Sequence, residues 1–395
     1  MPAWAEDPPP PISGEFGVAI DAATGDILYN KNADAPSFPA SMTKVLTAIV
    51  LDKNLADNQM LTVSAKAAGQ ECNCFGFTPG EQISKKDAMY GLLLLSANDL
   101  AVAIAENTGG SVEGFAQLMN DEVKKLGLQQ THFVTPNGLH DPNHYTTPHD
   151  MALIMKEALK HPNVLNALST QSIDVHTSLQ AKTIKNKSEV HKQPQEAHVI
   201  AGKTGFTDQA GNTLVEYLKD GDKEVIAVVM KTHKKEEYTD IQIMANYAFA
   251  HMKTEKIASM NEVIDKATLY GEKVKLTTPF NIGVGLKISD NAKLTTKIQL
   301  ANTAGENIKK GQVVANLQVI KDGQIVKETP LVSNKAIKGL KSIKNMGEAN
   351  KDPKKSEGFS GNVIILAGIL LTLAVAMLAS RVRVQYRKKL YENNF

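Results

Sequence analysis

The sequence predicts an α/β chain of the α+β kind: one antiparallel sheet with helices packed on it, then a small all-β domain and a C-terminal transmembrane helix. Three observations predict it. Alternating strand-like segments stand at both ends of the first 256 residues, with apolar helical segments between them. Beyond that point the texture changes to short strands and turns, and residues 358–380 form an uncharged run, GFSGNVIILAGILLTLAVAMLAS. A length of 395 residues suits two domains with attachments.

Taken in order, residues 14–32, GEFGVAIDAATGDILYNKN, alternate apolar and polar positions around an Ala-Thr-Gly-Asp turn and read as a β-hairpin. After Pro39, SMTKVLTAIVLDKN has helical spacing, with Ser41 opening the helix. DAMYGLLLLSANDLAVAIAENTGG reads as two buried helices meeting at Ser96-Ala97-Asn98, and SVEGFAQLMNDEVKKLGL as an amphipathic one. AGKTGFTDQAGNTLVEYLKDGDKEVIAVVMKTH reads as consecutive antiparallel strands whose last turn is Asp220-Gly221-Asp222. Hairpin, helices and hairpin imply one sheet built from both ends of a domain.

The boundaries that follow are a tail over 1–13, a first domain over 14–256, an all-β domain over 262–340, a Lys-, Gly- and Asn-rich linker over 341–357, the span over 358–380 and a basic tail over 381–395. In the first tail Ala3-Trp4-Ala5 resembles the small-x-small end of a secretory signal, which makes it the remnant of a cleavage region. At about 1.5 Å per residue the span can cross a hydrocarbon layer of roughly 30 Å. Lysines precede it and arginines follow it, so the positive-inside count is nearly balanced.

The formal charge is +2, and the last fifteen residues carry +4 of it, which leaves −2 on the rest. A body without clustered basic charge gives no reason to propose nucleic acid as a partner. All three arginines, Arg381, Arg383 and Arg387, lie in that tail, so any other cationic contact must come from lysine or histidine. Cys72 and Cys74 are marginally spaced for a disulfide, and two thiols alone make no structural zinc site.

Three short motifs bear chemistry. Ser41-Met42-Thr43-Lys44 puts a hydroxyl and an amine three residues apart, on one face of a helix whose N-terminus offers N–H groups to an oxyanion. Ser96-Ala97-Asn98 is a polar break between apolar helices, and Lys203-Thr204-Gly205 lies on an edge strand where glycine admits close approach of a ligand. Each alone is weak, because a helix start, a turn and a strand end would read the same way. Together and in this order they are the set found in penicillin-binding proteins and class A β-lactamases.

The chain resembles the low-molecular-mass penicillin-binding proteins, serine-type D-alanyl-D-alanine carboxypeptidases of the peptidase S11 kind. The resemblance is carried by PASMTKVLTA, YGLLLLSANDLAVAIAE, THFVTPNGLHDPNHYTTPHDMA and GKTGFTDQAGNTLV over about residues 14–256. It implies a serine β-lactamase/penicillin-binding-protein-like fold. It also implies a nucleophile at Ser41, Lys44 as its base, a proton relay through Ser96, and Asn98 on the substrate amide. Lys203 and Thr204 would face the terminal carboxylate, with Gly205 beside them and an oxyanion hole at the backbone N–H groups of Ser41 and Phe206. No metal and no other cofactor is implied, although His140, His144 and His149 with Asp141 and Asp150 form a cluster that matches no standard zinc spacing.

The implied partners are the peptidoglycan stem peptide, β-lactam antibiotics as covalent inhibitors, and membrane lipid around the C-terminal helix. The implied location is a single-pass anchor in the cell membrane with the catalytic domain on the wall side. The sequence departs from the family in the loop KTHKKEEYTD, where relatives often supply an arginine for the carboxylate; Lys234 or Lys235 would substitute as a point charge. A β-lactamase-like hydrolase, a DD-endopeptidase and a wall-binding scaffold without turnover are the alternatives. The first is disfavoured because PNGLHDPNHYTTPHD contains no glutamate to drive deacylation.

Overall fold

The computed structural model describes residues 8–71, 73–188 and 198–339. The proposed linker, membrane span and basic tail, and most of the N-terminal tail, lie outside the described residues, as does Cys72. Cys74 is disulfide-bonded, not a free thiol.

The predicted hairpin is β1, Phe16–Asp21, and β2, Ile27–Lys31. The nucleophile segment follows as a short 3-10 turn, Ala40–Thr43, and only then α1, Lys44–Asn54. This corrects the expectation that Ser41 opens the α-helix. Next come β3 (Met60–Thr62), α2 (Ala65–Ala68), β4 (Gln82–Ser84), α3 (Lys85–Leu94), α4 (Asn98–Gly109) and α5 (Val112–Lys125). Ser84 caps α3 by accepting from the Asp87 N–H at 3.0 Å, and Ser111 caps α5 by accepting from Gly114 at 2.9 Å. Then follow α6 (Pro148–Ala158), α7 (Pro162–Leu168), β5 (Ser172–His176), β6 (Ala181–Lys185), β7 (His198–Thr207), β8 (Gly211–Asp220), β9 (Lys223–Thr232) and α8 (Glu236–Ala250). His149 and Asp150 of the histidine cluster sit in the first turn of α6, where Thr147 accepts from the Asp150 N–H at 3.0 Å.

The main sheet has the order β2-β1-β9-β8-β7 and its pairs are antiparallel, so the first hairpin joins the last three strands across the length of the domain. Alternation divides the apolar residues between two faces. Val18, Ile20, Val215, Tyr217, Ile226 and Val228 belong to a core with α1, α4 and α6, while Ala19, Leu214, Leu218, Val225, Ala227 and Val229 pack with Ile241, Met244 and Ala248 of α8. Helix α1 is apolar on nearly every side, as suits a helix buried all round. Lys44 opens it and is fully buried, an expensive place for an amine unless its chemistry or its partners offset the desolvation. Glu216 on β8 is likewise fully buried, and neither of its oxygens has a hydrogen-bond partner.

The chain divides into two compact units. Among the described residues, one comprises those up to Met260 with Phe280–Lys297 and Gln318–Thr329, and the other Asn261–Pro279, Ile298–Leu317 and 330–339. The later strands are β10 (Met252–Ala258), β11 (Val263–Leu269), β12 (Glu272–Thr277), β13 (Ile282–Lys287), β14 (Thr295–Leu300), β15 (Val313–Lys321) and β16 (Gln324–Ser333). β10 pairs with β13, and the others have the order β11-β12-β16-β15-β14. Strands β10 and β11 had no counterpart in the sequence reading, because their exposed faces are so rich in Lys, Glu and Thr that the alternation is weak. Among the described residues no helix is long and apolar enough to cross a membrane.

Candidate active site

The 3-10 turn, the start of α4 and strand β7 meet at one place. Ser41, half-buried, is the accessible member, and Lys44, Ser96, Asn98 and Lys203 are all buried around it. Two of the residues here have left-handed backbones without being glycine, Ala40 at φ 48° and Ser96 at φ 59°. Such strain persists only where tertiary contacts impose it, and it clusters at functional sites.

Lys44 Nζ lies 2.9 Å from Ser41 Oγ, 2.8 Å from Asn98 Oδ1 and 2.6 Å from the carbonyl oxygen of Asn137. A neutral amine has two hydrogens and one lone pair. The two carbonyl oxygens can only accept, so they take both hydrogens and leave the lone pair facing the Ser41 hydroxyl. Burial drives the Lys44 pKa well below that of a free lysine, and the charges of Lys203 and then Lys187 lower it further. The arrangement therefore favours the neutral amine, the form that can take a proton from a serine hydroxyl.

Lys203 Nζ donates to Ser96 Oγ at 3.0 Å and to the Thr204 carbonyl at 2.8 Å. Burial, then the Lys187 charge, lowers its pKa to about 7. Because Ser96 Oγ accepts from Lys203, its own hydrogen is free to point elsewhere. Asn98 is held from both sides. Its N–H donates to the Asn73 carbonyl at 2.7 Å, and its side-chain amide donates to the Glu71 carbonyl at 2.8 Å. Asp99, fully buried, fixes the same loop by accepting from the N–H groups of Phe75 at 3.0 Å and Gly76 at 2.9 Å.

Gly205 corrects a second expectation. A Cβ there would lie 2.8 Å from the Ser41 nitrogen, 2.5 Å from Thr213 Oγ1 and 3.0 Å from the Pro39 carbonyl. The close neighbour that glycine admits is the nucleophile's own backbone. Thr204 is half-buried beside it, and Phe206 is 60% exposed at the end of β7, so whatever Phe206 contributes to an oxyanion site comes from its backbone. Lys234 and Lys235 are both exposed just before α8.

The histidines considered for metal have other partners. His144 bonds Thr43, His149 Nδ1 lies 2.9 Å from Asp34, and the His140 ring stands edge-on to Phe38 at 4.7 Å. Asn137, Lys187 and the carbonyls of Glu71 and Asn73 were not singled out from the sequence. A backbone carbonyl has no side-chain signature. The Asn137-Gly138 pair was the available signal, since Gly138 has φ 80° and a Cβ there would lie 1.9 Å from the Ala40 carbonyl.

Residues 4–234 match the family described as D-alanyl-D-alanine carboxypeptidase, peptidase S11, and residues 253–339 match the penicillin-binding protein 5 C-terminal domain. The D-alanyl-D-alanine carboxypeptidase DacF of Bacillus subtilis is 30% identical over 312 residues, which is 76% of this chain and 79% of that protein. DacA of Haemophilus influenzae is 29% identical over 325 residues, 78% of this chain and 81% of that one. Among solved structures, penicillin-binding protein 5 of Haemophilus influenzae aligns with a TM-score of 0.60 at 26% identity, covering 84% of this chain and 99% of that chain. The Streptomyces K15 DD-transpeptidase aligns with a TM-score of 0.58 at 27% identity, covering 62% and 100%.

Proposed function

This chain belongs to the peptidase S11 family of D-alanyl-D-alanine carboxypeptidases, and from that premise we infer that it is a serine-type enzyme removing the terminal D-alanine from peptidoglycan stem pentapeptides. Ser41 attacks the D-Ala–D-Ala carbonyl while Lys44, as a neutral amine, takes the hydroxyl proton. The oxyanion is met by the backbone N–H groups of Ser41 and Phe206. Ser96 gives its hydrogen to the departing D-alanine amine and is resupplied with the proton that Lys44 took from Ser41; water then cleaves the serine ester, passing one proton to the neutral Lys44, which returns it to the Ser41 oxygen. Asn98 holds the substrate amide through the N–H that Glu71 does not use, and Lys203 with Thr204 receives the terminal carboxylate. β-Lactams acylate Ser41 by the same attack, because their ring carbonyl takes the place of the scissile peptide.

The observation that carries this reading is the Ser41–Lys44 contact of 2.9 Å with both amine hydrogens directed at carbonyl oxygens. The test is intact-protein mass spectrometry after exposure to penicillin and to a D-Ala–D-Ala peptide, with free D-alanine assayed alongside. A penicillin adduct on Ser41, absent from Ser41→Ala, together with D-alanine release is expected. Rapid consumption of penicillin with no D-alanine released would favour the β-lactamase alternative, and cleavage restricted to cross-linked peptides the endopeptidase.

We also propose that residues 358–380 cross the cell membrane once, with the catalytic domain on the wall side and 381–395 in the cytoplasm. The uncharged run supports the crossing and, with basic residues on both flanks, it is the substrate's place outside the cell that supports the orientation. Protease added to intact wall-stripped cells is expected to digest the body and spare an epitope on the tail. Cleavage of the tail with protection of the body would reverse the orientation.

A further inference from the structure

Thr43 stands between the two reactive residues, one position before Lys44, and its buried hydroxyl oxygen lies 2.8 Å from Nε2 of His144. The other ring nitrogen, Nδ1, lies 3.1 Å from the Val134 nitrogen and 3.2 Å from the Thr135 nitrogen. A backbone N–H can only donate, so Nδ1 bears the lone pair and the ring proton is on Nε2, from which it is donated to Thr43. The imidazole is 2% exposed, against the Phe133 ring at 5.1 Å, and burial pushes its pKa down to about 3. It is a neutral, single-tautomer ring with hydrogen bonds at both nitrogens.

What it joins matters for the lysine. Val134 and Thr135 begin the segment whose next residues touch the nucleophile turn. The Pro136 carbonyl accepts from Thr47 Oγ1 at 2.6 Å, the Asn137 carbonyl accepts from Lys44 at 2.6 Å, and Gly138 lies against Ala40. His144 therefore ties the residues that deliver the Asn137 carbonyl to the residue that precedes Lys44.

We propose that His144 is a positioning residue for acyl transfer: by linking Val134 and Thr135 to Thr43 it fixes the Asn137 carbonyl on one Lys44 hydrogen and so aims the amine lone pair at Ser41. The proposal rests on the roles given to Ser41 and Lys44 above, and its test separates the two.

Acylation by a fluorescent penicillin is followed by stopped flow in the full chain, resolving the non-covalent constant K from the acylation rate k2, with k2 referred to the fraction of titratable sites. Thr43→Val keeps shape and removes the acceptor. His144→Ala removes the link, and His144→Gln restores a donor for Thr43 only. A lost link of ordinary hydrogen-bond strength corresponds to about a tenfold fall in k2. The expected result is that fall in Thr43→Val and in His144→Ala, with K unchanged, a double variant no slower than the slower single one, and partial recovery in His144→Gln. A merely structural histidine would lower the titratable fraction and leave k2 alone. Wild-type k2 in Thr43→Val, or losses that multiply in the double variant, overturns the proposal. If His144→Ala fails to fold, Thr43→Val decides the matter alone. Persistence of the adduct in Ser41→Ala would instead overturn the underlying reading of the site.

Discussion

The α-carbon of Gly205 approaches the backbone nitrogen of Ser41 so closely that a Cβ at residue 205 would stand 2.8 Å from it. The strand and the nucleophile turn are thus packed backbone to backbone, with Thr213 Oγ1 donating to the Pro39 carbonyl at 3.1 Å as a further tie. Gly205→Ala must push the turn away from β7, and with it the N–H pair proposed to hold the oxyanion. Penicillin acylation is expected to fall on the order of 10²–10³-fold, the usual cost of losing one such donor, while circular dichroism keeps its folded form and the thermal transition falls modestly, as overpacking against backbone requires.

The pH dependence of acylation follows from two lysines. Lys44 must be neutral to act, so the rate rises with pH as it loses its proton, and its depressed pKa brings that limb below the range of an ordinary lysine. Lys203 must be charged to hold a carboxylate, and with a pKa of about 7 it loses that charge as the pH passes neutrality. A bell-shaped profile of k2/K is expected for penicillin. A ligand whose carboxylate is converted to an amide should bind weakly yet lose the falling limb. Retention of that limb with the amide would show that another group controls it.

Ser96 accepts from Lys203 and has its own hydrogen to give. Ser96→Ala is expected to slow D-alanine release from peptide by roughly 10²-fold or more, the scale of general acid assistance, because an amine is a poor leaving group. Acylation by penicillin, whose strained ring opens more readily, should be less affected. Equal losses on both substrates would place Ser96 in binding.

Glu216 concerns stability instead of catalysis. Burial pushes its carboxyl pKa up to about 8 in the folded protein, against 4.5 for the free group. The raised value means that the folded form favours the protonated acid, so its stabilising contribution is whole below about 4.5 and is lost progressively as the pH rises toward about 8. Glu216→Gln should flatten this dependence. The melting temperature of the variant is expected to match wild type near pH 4.5 and exceed it by several degrees near pH 8, and equal melting curves at both pH values would show that the carboxyl is solvated.

Much of this was legible beforehand, for identifiable reasons. The hairpin at Phe16–Lys31, the break at Ser96–Asn98 and the strand bearing Lys203 announced themselves by periodicity and by turn residues, which act locally. The conformation of Ser41 did not. Helical spacing ran from Ser41 onward, yet contacts with Gly138 and Gly205 tighten residues 40–43 into a 3-10 turn with Ala40 left-handed, and the α-helix waits until Lys44. The partners of the lysine were hidden too, since the Asn137 carbonyl is main chain. His144 stood in view only as a possible metal ligand, and the hydroxyl it meets is 101 residues away.

Those distances along the chain bear on when the enzyme acquires its reactivity. Lys44 reaches its two carbonyl partners 54 and 93 residues downstream, Lys203 reaches Ser96 across 107, and Thr213 reaches Pro39 across 174. A chain emerging from its N-terminus therefore presents its serine first, as an ordinary hydroxyl beside a hydrated, protonated lysine. Nothing activates it until β7 and β8 have been made and have closed the sheet on β9. Covalent labelling by penicillin is in that sense a clock for the completion of folding: an unfinished chain is chemically silent, and the signal starts when the last strands dock.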